Sequence, residues 1–168
     1  PNDIIEHYEC IVFHMTDLPF GRGGSPLQNL ISRGIYSTKI SAFKVDQGID
    51  TGDIYLKEEL ELTGTASDIF ERANHIIENM IISILQEKIE PVPQKGKVTV
   101  FKRRRPHQSN IFELETLQQI YDHIRMLDAD GYPKAYIENN LMKFEFMDAS
   151  FNAKNEVIAT VKIKLKTE

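Results

Sequence analysis

The feature that most constrains the fold is a short apolar strand that passes into a glycine-rich loop and then into a helix. The apolar run covers residues 8–13 and ends at His14, and residues 16–24 contain three glycines and one proline. Pro26 suits the first position of a helix and Gly34 suits its C-terminal stop. This order is typical of a βα unit in a buried parallel sheet, in which ligands bind at the carboxyl ends of the strands.

The residues that follow alternate between strands and helices. Strands are predicted over residues 38–45 and 54–62, with a second glycine-containing loop between them. Thr65 and Asp68 have the spacing of a capping box and open a helix that should end near Lys88. Its apolar residues recur every three or four positions and form one wide face: Ala66, Ile69, Phe70, Ala73, Ile76, Ile77, Met80, Ile81, Ile84 and Leu85.

Two prolines and a glycine within residues 91–96 indicate a domain boundary. We therefore divide the chain into a first part, residues 1–93, and a second part, residues 94–168. The second part is predicted to contain a basic strand at 98–105, a helix at 113–127 and strands at 134–138, 141–146 and 156–166. The last of these alternates apolar and polar residues, which predicts a sheet with one covered face.

The composition is that of a globular chain in which acidic residues outnumber basic ones. Twenty Lys and Arg stand against 25 Asp and Glu, giving a formal charge of -5, which argues against a nucleic-acid substrate. A single cysteine, Cys10, excludes an internal disulfide framework, and the histidines lack metal-ligand spacing, so no metal is predicted. No apolar run could span a bilayer and no signal peptide is visible, so we expect a cytoplasmic protein without a membrane partner.

His14 and Asp50 are the two candidate catalytic residues. Asp50 lies in the second loop, which should leave another strand of the same sheet. A carboxylate that faces an imidazole fixes the ring tautomer and suits general acid–base chemistry near neutral pH. Each residue also has a structural interpretation when it is considered alone. His14 could be a buried histidine whose hydrogen bonds are satisfied, and Asp50 could be an aspartate that stabilises a turn. His75 and His123 fall outside the apolar faces of their helices and are expected to be solvated.

The two loops carry a resemblance to a known family. Residues 14–28 resemble, without a gap, a segment of the 10-formyltetrahydrofolate-dependent formyltransferases, keeping its His, its Leu-Pro, its Arg-Gly and the Pro of the next helix. Residues 46–54 are similar to that family's Asp-x-Gly-x-Asp-Thr-Gly-x-Ile loop. A weaker similarity covers residues 104–106 and 121–135, which in the family link the catalytic domain to a small β-rich C-terminal domain.

The resemblance implies an α/β fold. Residues 1–93 would be the C-terminal half of a Rossmann-like formyltransferase sheet, and residues 94–168 a linker helix followed by a small β-rich C-terminal domain. Family members carry a further nucleotide-binding-like half before the strand that ends in His. Pro1 is therefore expected to lie partway into a longer gene product.

The resemblance also implies a co-substrate and a division of roles. The formyl donor would be 10-formyltetrahydrofolate and the acceptor a free amine. His14 would move the proton between them, and Asp50 would hold and polarise the imidazole. The loop around Asp50 lines the folate site in the family, and the residues assigned to donor binding are therefore Val45, Asp46, Gly48, Ile49 and Asp50.

Two residues depart from the family pattern. Val12 stands where the family has an Asn that donates to the oxyanion, and losing such a donor costs about 100-fold or more in rate. Either another group, such as Thr16, supplies the hydrogen bond, or the protein is catalytically weakened. Asp17 replaces an apolar residue and is expected to find a partner or to face the acceptor. The candidate loop and acceptor contacts are therefore Thr16, Asp17, Arg22 and Gly23. Arg22 is expected to brace the loop.

The acidic balance and the short C-terminal segment favour an amino-sugar nucleotide over tRNA as the acceptor. We therefore predict a sugar N-formyltransferase. Three alternatives stay open: a methionyl-tRNA formyltransferase-like enzyme, a 10-formyltetrahydrofolate hydrolase, and a catalytically weakened folate- or nucleotide-binding protein. Residues 102–105 would contact phosphates of a nucleotide sugar or RNA, or form a solvated edge strand. The open β-rich C-terminal segment suggests a homodimer.

Overall fold

The computed structural model describes residues 2–152 and 155–166, so the first residue of the first predicted part and the last two residues of the second lie outside the described residues. The helices are α1 (Asn2–His7), α2 (Pro26–Ile31), α3 (Ala66–Glu87) and α4 (Leu117–Arg125), with a 3-10 turn at Pro106–Ser109. The strands are β1 (Ile11–His14), β2 (Arg22–Gly23), β3 (Ser37–Lys44), β4 (Ile54–Glu61), β5 (Val100–Phe101), β6 (Ala135–Glu138), β7 (Met142–Phe151) and β8 (Val157–Leu165). Among these described helices, none is long and apolar enough to cross a membrane.

The first part contains a three-stranded sheet in the order β1–β3–β4, and both pairings are antiparallel. The prediction of a parallel sheet is therefore wrong for these strands. A short apolar run cannot reveal strand direction, because parallel and antiparallel strands favour the same β-branched and aromatic residues. The register places His14, at the end of β1, opposite Ser41 on β3. Helix α2 begins at Pro26 as predicted, and Gly34 has the left-handed φ of 71° expected after a helix end.

The main core lies where α3 packs against β3 and β4. The predicted capping box is present: the Thr65 hydroxyl accepts from the Asp68 amide at 3.2 Å, and the Asp68 carboxylate accepts from the Thr65 amide at 2.8 Å. The buried side chains of α3 are Ala66, Ile69, Ala73 and Met80. The predicted apolar face is uncovered at its C-terminal end, where Leu85 is 73% exposed.

The second part ends in an antiparallel sheet with the order β6–β7–β8. Helix α4 packs against β7. The period-two pattern predicted for β8 is present, but the face is covered only at its start, where Val157 and Ala159 pack against the core. Further along the same face, Ile163 is 59% exposed and Leu165 is 78% exposed. On the opposite face Lys164 contacts Glu145 at 2.5 Å and lowers the pKa of that carboxyl group.

A buried ion pair joins α4 to the first part of the chain. Arg125 donates from Nε to Asp122 Oδ1 at 2.7 Å and from Nη1 to the carbonyl oxygens of Leu62 and Gly64 at 2.6 and 2.9 Å. Tyr36 donates its hydroxyl to Asp122 Oδ2 at 2.9 Å. Burial and this carboxylate raise the pKa of Tyr36 above its usual value. The two predicted parts of the chain therefore share a charged contact inside the protein.

His123, predicted to be solvated, is half-buried beside Arg104. Its Nδ1 donates to the carbonyl of Gln119 at 3.2 Å, and its Nε2 lies 3.4 Å from Nη2 of Arg104. Burial, followed by the positive charge of Arg104, lowers the pKa of His123 below its ordinary value. The neutral ring is therefore the form that the fold favours.

We expect this histidine to make the fold less stable in mild acid. A lowered folded-state pKa means that the unfolded chain binds the proton more readily, so the free energy of unfolding falls as the pH drops below the ordinary value of 6.5. The variant His123→Gln should lose this part of the pH dependence. Thermal melts between about pH 5 and 8 would measure it. His75→Gln, at a ring 72% exposed, is the control, and parallel curves for His123→Gln and wild type would contradict the assignment.

Candidate active site

The sequence-predicted pair, His14 and Asp50, meets at one end of the first sheet. His14 is only 8% exposed, and its Nε2 lies 2.8 Å from the carbonyl oxygen of Gly21. Because a carbonyl can only accept, Nε2 carries the proton in this contact. Nδ1 lies on the other side of the ring, 3.8 Å from Oδ2 of Asp50. That distance allows charge stabilisation but is too long for a direct hydrogen bond.

Hydrogen bonds and close packing from neighbouring residues fix the conformation of the turn that contains Asp50. Asp50 has a φ of 53°, an unusual conformation for a residue other than glycine. Asp46 folds the turn by accepting from the Gly48 amide at 3.0 Å and from the Thr51 hydroxyl at 2.5 Å. Gly52 passes so close to the chain that a Cβ there would lie 1.7 Å from the carbonyl oxygen of Lys44. Only glycine fits that position, which explains the Asp-Thr-Gly order.

The glycine-rich loop lies against this turn through its backbone. The Gly23 amide donates to Asp50 Oδ2 at 2.7 Å. Strand β2, which includes Gly23, pairs in parallel with β5, and a Cβ on Gly23 would lie 2.4 Å from the carbonyl oxygen of Phe101. The carbonyl that accepts from His14 and the amide that donates to Asp50 therefore belong to one short, closely packed segment.

The remaining predicted loop contacts have structural partners. Thr16 is completely buried, and its hydroxyl lies 3.4 Å from the Gly21 carbonyl, a contact inside the loop; its role as an acceptor contact stays a prediction. Asp17 finds the partner that was expected, Lys57 at 2.5 Å. Arg22 donates to Gln94, a residue that the sequence analysis does not single out, at 3.2 Å from Nε and 2.7 Å from Nη2.

Val12 shares the sheet face of His14, because side chains two residues apart on a strand point to the same side. It is 40% exposed and has no side-chain hydrogen-bond donor. The hydroxyl of Thr16, the substitute donor considered above, is directed to the Gly21 carbonyl within its own loop.

A cleft of about 760 Å³ opens beside Asp50. Its walls combine the exposed apolar residues Ile49, 75% exposed, and Val100, 68% exposed, with the basic residues Arg22 and Arg103. This mixture suits a flat aromatic ligand that carries anionic groups. Of the residues assigned to the donor site, Ile49 and Asp50 line the cleft, Asp46 and Gly48 shape the turn, and Val45 donates its amide to the Cys10 carbonyl at 2.8 Å.

A second cavity of about 450 Å³ has Arg103 in common with the cleft. Arg104 and Arg105 also line it, and the Arg104 amide donates to the hydroxyl of Ser25 at 3.1 Å. Within residues 2–152 and 155–166, none of these three arginines has a carboxylate at ion-pair distance. Burial, with a smaller effect from Arg33, lowers the pKa of Arg104. The same part of the chain contains no group of three or more His, Cys, Asp or Glu that could hold a metal.

Comparison with known proteins agrees with this geometry. The family model of the methionyl-tRNA formyltransferase C-terminal domain matches residues 106–164. The structure of methionyl-tRNA formyltransferase from Clostridium thermocellum is 55% identical, with a TM-score of 0.96, and the match covers 99% of this chain and 73% of that one. The chain belongs to the formyltransferase family. The expectation drawn from the two loops is thereby confirmed.

Other relatives are longer than this formyltransferase chain or more distant from it. Methionyl-tRNA formyltransferase of Bacillus thuringiensis is 33% identical over 145 residues, 81% of this chain and 46% of its own length. The chain thus spans about half the length of the curated relatives it matches. WlaRD, a sugar 3N-formyl transferase solved in the presence of dTDP and 5-N-formyl-THF, is 17% identical with a TM-score of 0.55, over 80% of this chain and 60% of that chain. At that identity the likeness shows the fold alone.

These relatives favour the alternative acceptor over the one predicted first. The relatives with at least 33% identity named above are methionyl-tRNA formyltransferases, whereas the sugar formyltransferase is far more distant. The net charge on which the first choice of acceptor rested is an average over the whole chain, and it does not register the local group of Arg103, Arg104 and Arg105 around the second cavity.

Proposed function

We propose that this chain is part of an enzyme that transfers a formyl group from 10-formyltetrahydrofolate to the amine of methionyl-tRNA. The observation that carries the proposal is that His14 and Asp50 lie 3.8 Å apart beside an open cleft, in a chain 55% identical to a methionyl-tRNA formyltransferase. The cleft volume lies within the range of ordinary small-molecule sites. A sugar acceptor is the first alternative that the experiment below tests.

His14 is proposed to carry the proton that the reaction must move. The co-substrate supplies the formyl group, whose carbon bonds to the acceptor nitrogen as its bond to N10 breaks. His14 takes the proton that the acceptor amine loses and returns it to the departing nitrogen. Since Nε2 is engaged by Gly21, Nδ1 is the ring nitrogen available for this exchange. Asp50, fixed by the Gly23 amide, stabilises the imidazolium that forms in between.

We also propose that the donor lies along the Asp50 turn, in the C-terminal half of a Rossmann-like domain formed by residues 1–93. The exposed side chain of Ile49 supports this assignment, because burying it under a flat ring would remove apolar surface from water. Residues 94–168 are proposed to be the linker helix and the small C-terminal domain. The family-model match to residues 106–164 supports that division.

Arg103 is expected to contribute to tRNA affinity, since it stands between the cleft and the second cavity. Arg103→Ala should raise KM for methionyl-tRNA about tenfold, the effect of one charge-assisted hydrogen bond. It should also lower the slope of log affinity against log salt by about one. Steady-state kinetics at several salt concentrations would measure both. Arg72→Ala, at a cation of α3 that lines neither cavity, is the control, and an unchanged salt slope for Arg103→Ala would contradict a phosphate contact.

The full-length gene product tests the acceptor directly. We would follow tetrahydrofolate release from 10-formyltetrahydrofolate with methionyl-tRNA, with a panel of amino-sugar nucleotides, and with neither. Release that requires methionyl-tRNA is the expected result. Release that requires an amino-sugar nucleotide would replace the acceptor, and release without any amine would indicate a hydrolase. Donor binding without release under all three conditions would indicate a binding protein, with Val12 as the first position to restore to Asn.

A further inference from the structure

We propose that Gln94 is a positioning residue for the His14–Asp50 pair, an inference that rests on the proposed formyl transfer. Gln94 lies between α3 and β5 and is half-buried. Its segment is anchored beside the Asp50 turn, because Val92 and Ile54 exchange two backbone hydrogen bonds of 2.8 Å each. A residue in the connection between the two predicted parts thus lies next to the catalytic loops.

The side-chain amide of Gln94 is fully engaged and spans both loops. Its Oε1 accepts from Nε and Nη2 of Arg22 at 3.2 and 2.7 Å. Its Nε2 donates to the carbonyl oxygens of Asp50 and Gly52 at 3.0 and 2.8 Å. Two lone pairs and two N–H groups are all that a primary amide has, so its full capacity is used. The partners also fix its orientation, since a guanidinium can only donate and a carbonyl can only accept.

These contacts act on the reacting pair through the backbone. On one side Gln94 holds the carbonyl of Asp50, a residue whose φ of 53° needs support from its surroundings. On the other side it holds Arg22, which lies between the carbonyl that accepts from His14 and the Gly23 amide that donates to Asp50. Gln94 touches neither the His14 ring nor the Asp50 carboxylate directly. Its effect is to fix the distance between them.

Loss of this amide should lower turnover more than substrate binding. Gln94→Met keeps the approximate volume and removes all four hydrogen bonds. We expect kcat to fall about 10- to 100-fold, the usual effect of misplacing catalytic groups by about 1 Å, with a smaller change in KM. Gln94→Glu keeps acceptors for Arg22 but places oxygen against the carbonyls of Asp50 and Gly52. It should therefore lower kcat as Gln94→Met does, whereas a merely structural Gln94 would lower the melting temperature in both variants and leave kcat of the folded protein unchanged. Gln86→Met, at an exposed position of α3, is the matched control.

A double-mutant cycle in the full-length protein separates positioning from general damage. If Gln94 acts through Asp50, then Gln94→Met should have almost no further effect on kcat once Asp50→Asn is present. If the fold-losses in kcat of Gln94→Met and Asp50→Asn multiply in the double variant, the inference is overturned. The cycle is measured with whichever acceptor the wild type uses, so failure of the tRNA assignment and failure of the Gln94 assignment give different results.

A second measurement does not require turnover. The Gly23 amide donates to Asp50, so its proton should exchange slowly with solvent in the wild type. Gln94→Met should make this exchange faster and leave the amides of α3 unchanged. Unchanged exchange at Gly23 would overturn the inference even in a protein that transfers no formyl group at all.

Discussion

Replacing His14 with alanine should lower kcat for formyl transfer by about 100- to 10,000-fold, the usual contribution of a general acid–base group. The reason is geometric: Nδ1 is the one ring nitrogen free to exchange a proton, and Asp50 lies 3.8 Å from it. KM for the two substrates should change much less, because the ring is 8% exposed and offers little surface for binding. Single-turnover and steady-state assays with the full-length protein would measure both constants.

The control for this prediction is His75→Ala, which removes an exposed imidazole from α3 and should leave kcat unchanged. Circular dichroism and melting temperature would show whether the loss of the His14–Gly21 contact disturbs the fold. Asp50→Asn keeps an oxygen for the Gly23 amide but removes the charge that stabilises an imidazolium. It should also lower kcat, and its effect should not multiply with that of His14→Ala. Normal turnover by a folded His14→Ala protein would exclude the proposed proton transfer.

Replacing Asp122 with asparagine should lower the free energy of unfolding by about 3–5 kcal/mol, since it leaves the buried guanidinium of Arg125 without a counter-charge. Arg125 is 2% exposed, and its remaining contacts, with the carbonyls of Leu62 and Gly64 and with the rings of Tyr36 and Tyr121, supply no net charge. A loss of this size is a large part of the stability of a typical domain, about 5–15 kcal/mol. Urea denaturation followed by circular dichroism would measure it.

The matched control is Glu59→Gln, which removes a carboxylate from an exposed pair with Lys39 at 3.5 Å. Solvent screens such pairs, so this change should cost no more than about 1 kcal/mol. Equal losses in the two variants would show that burial does not set the strength of the Asp122–Arg125 pair. Replacing both Asp122 and Arg125 with apolar residues should recover part of the loss, because no unpaired charge then remains inside the protein.

The sequence predicted those features whose causes lie close together in the chain. The start of α3 follows from the capping box at Thr65 and Asp68, and β3 from its β-branched residues. The candidate pair His14 and Asp50 was accessible because His14 directly precedes one recognisable loop and Asp50 stands in another. Gln94 was not, since its partners are distant in sequence and a single glutamine after a proline forms no pattern. The antiparallel direction of β1 depends on its pairing with β3, which no local signal specifies.

The burial of Thr16 illustrates the same limit. A threonine inside a glycine-rich loop has the composition of an exposed turn, and only the packing of Gly21 against its methyl group, where an added Cβ would lie 2.7 Å from Cγ2, shows that it is enclosed. The acceptor prediction rested on net charge, and the relatives favour its alternative. Net charge is a property of the whole chain, whereas phosphate recognition depends on the local arrangement of a few cations.

The parallel pairing of β2 with β5 determines where two related formyltransferases can be recombined. The Thr99 carbonyl accepts from the amides of Gly21 and Arg22, and the Gly24 amide donates to the Phe101 carbonyl. A chimaera joined between residues 93 and 94 would take the glycine-rich loop with β2 from one parent and its partner strand β5 from the other. A junction after Arg105 keeps both from the same parent. Gene shuffling across this family should therefore yield active hybrids more often at the later junction.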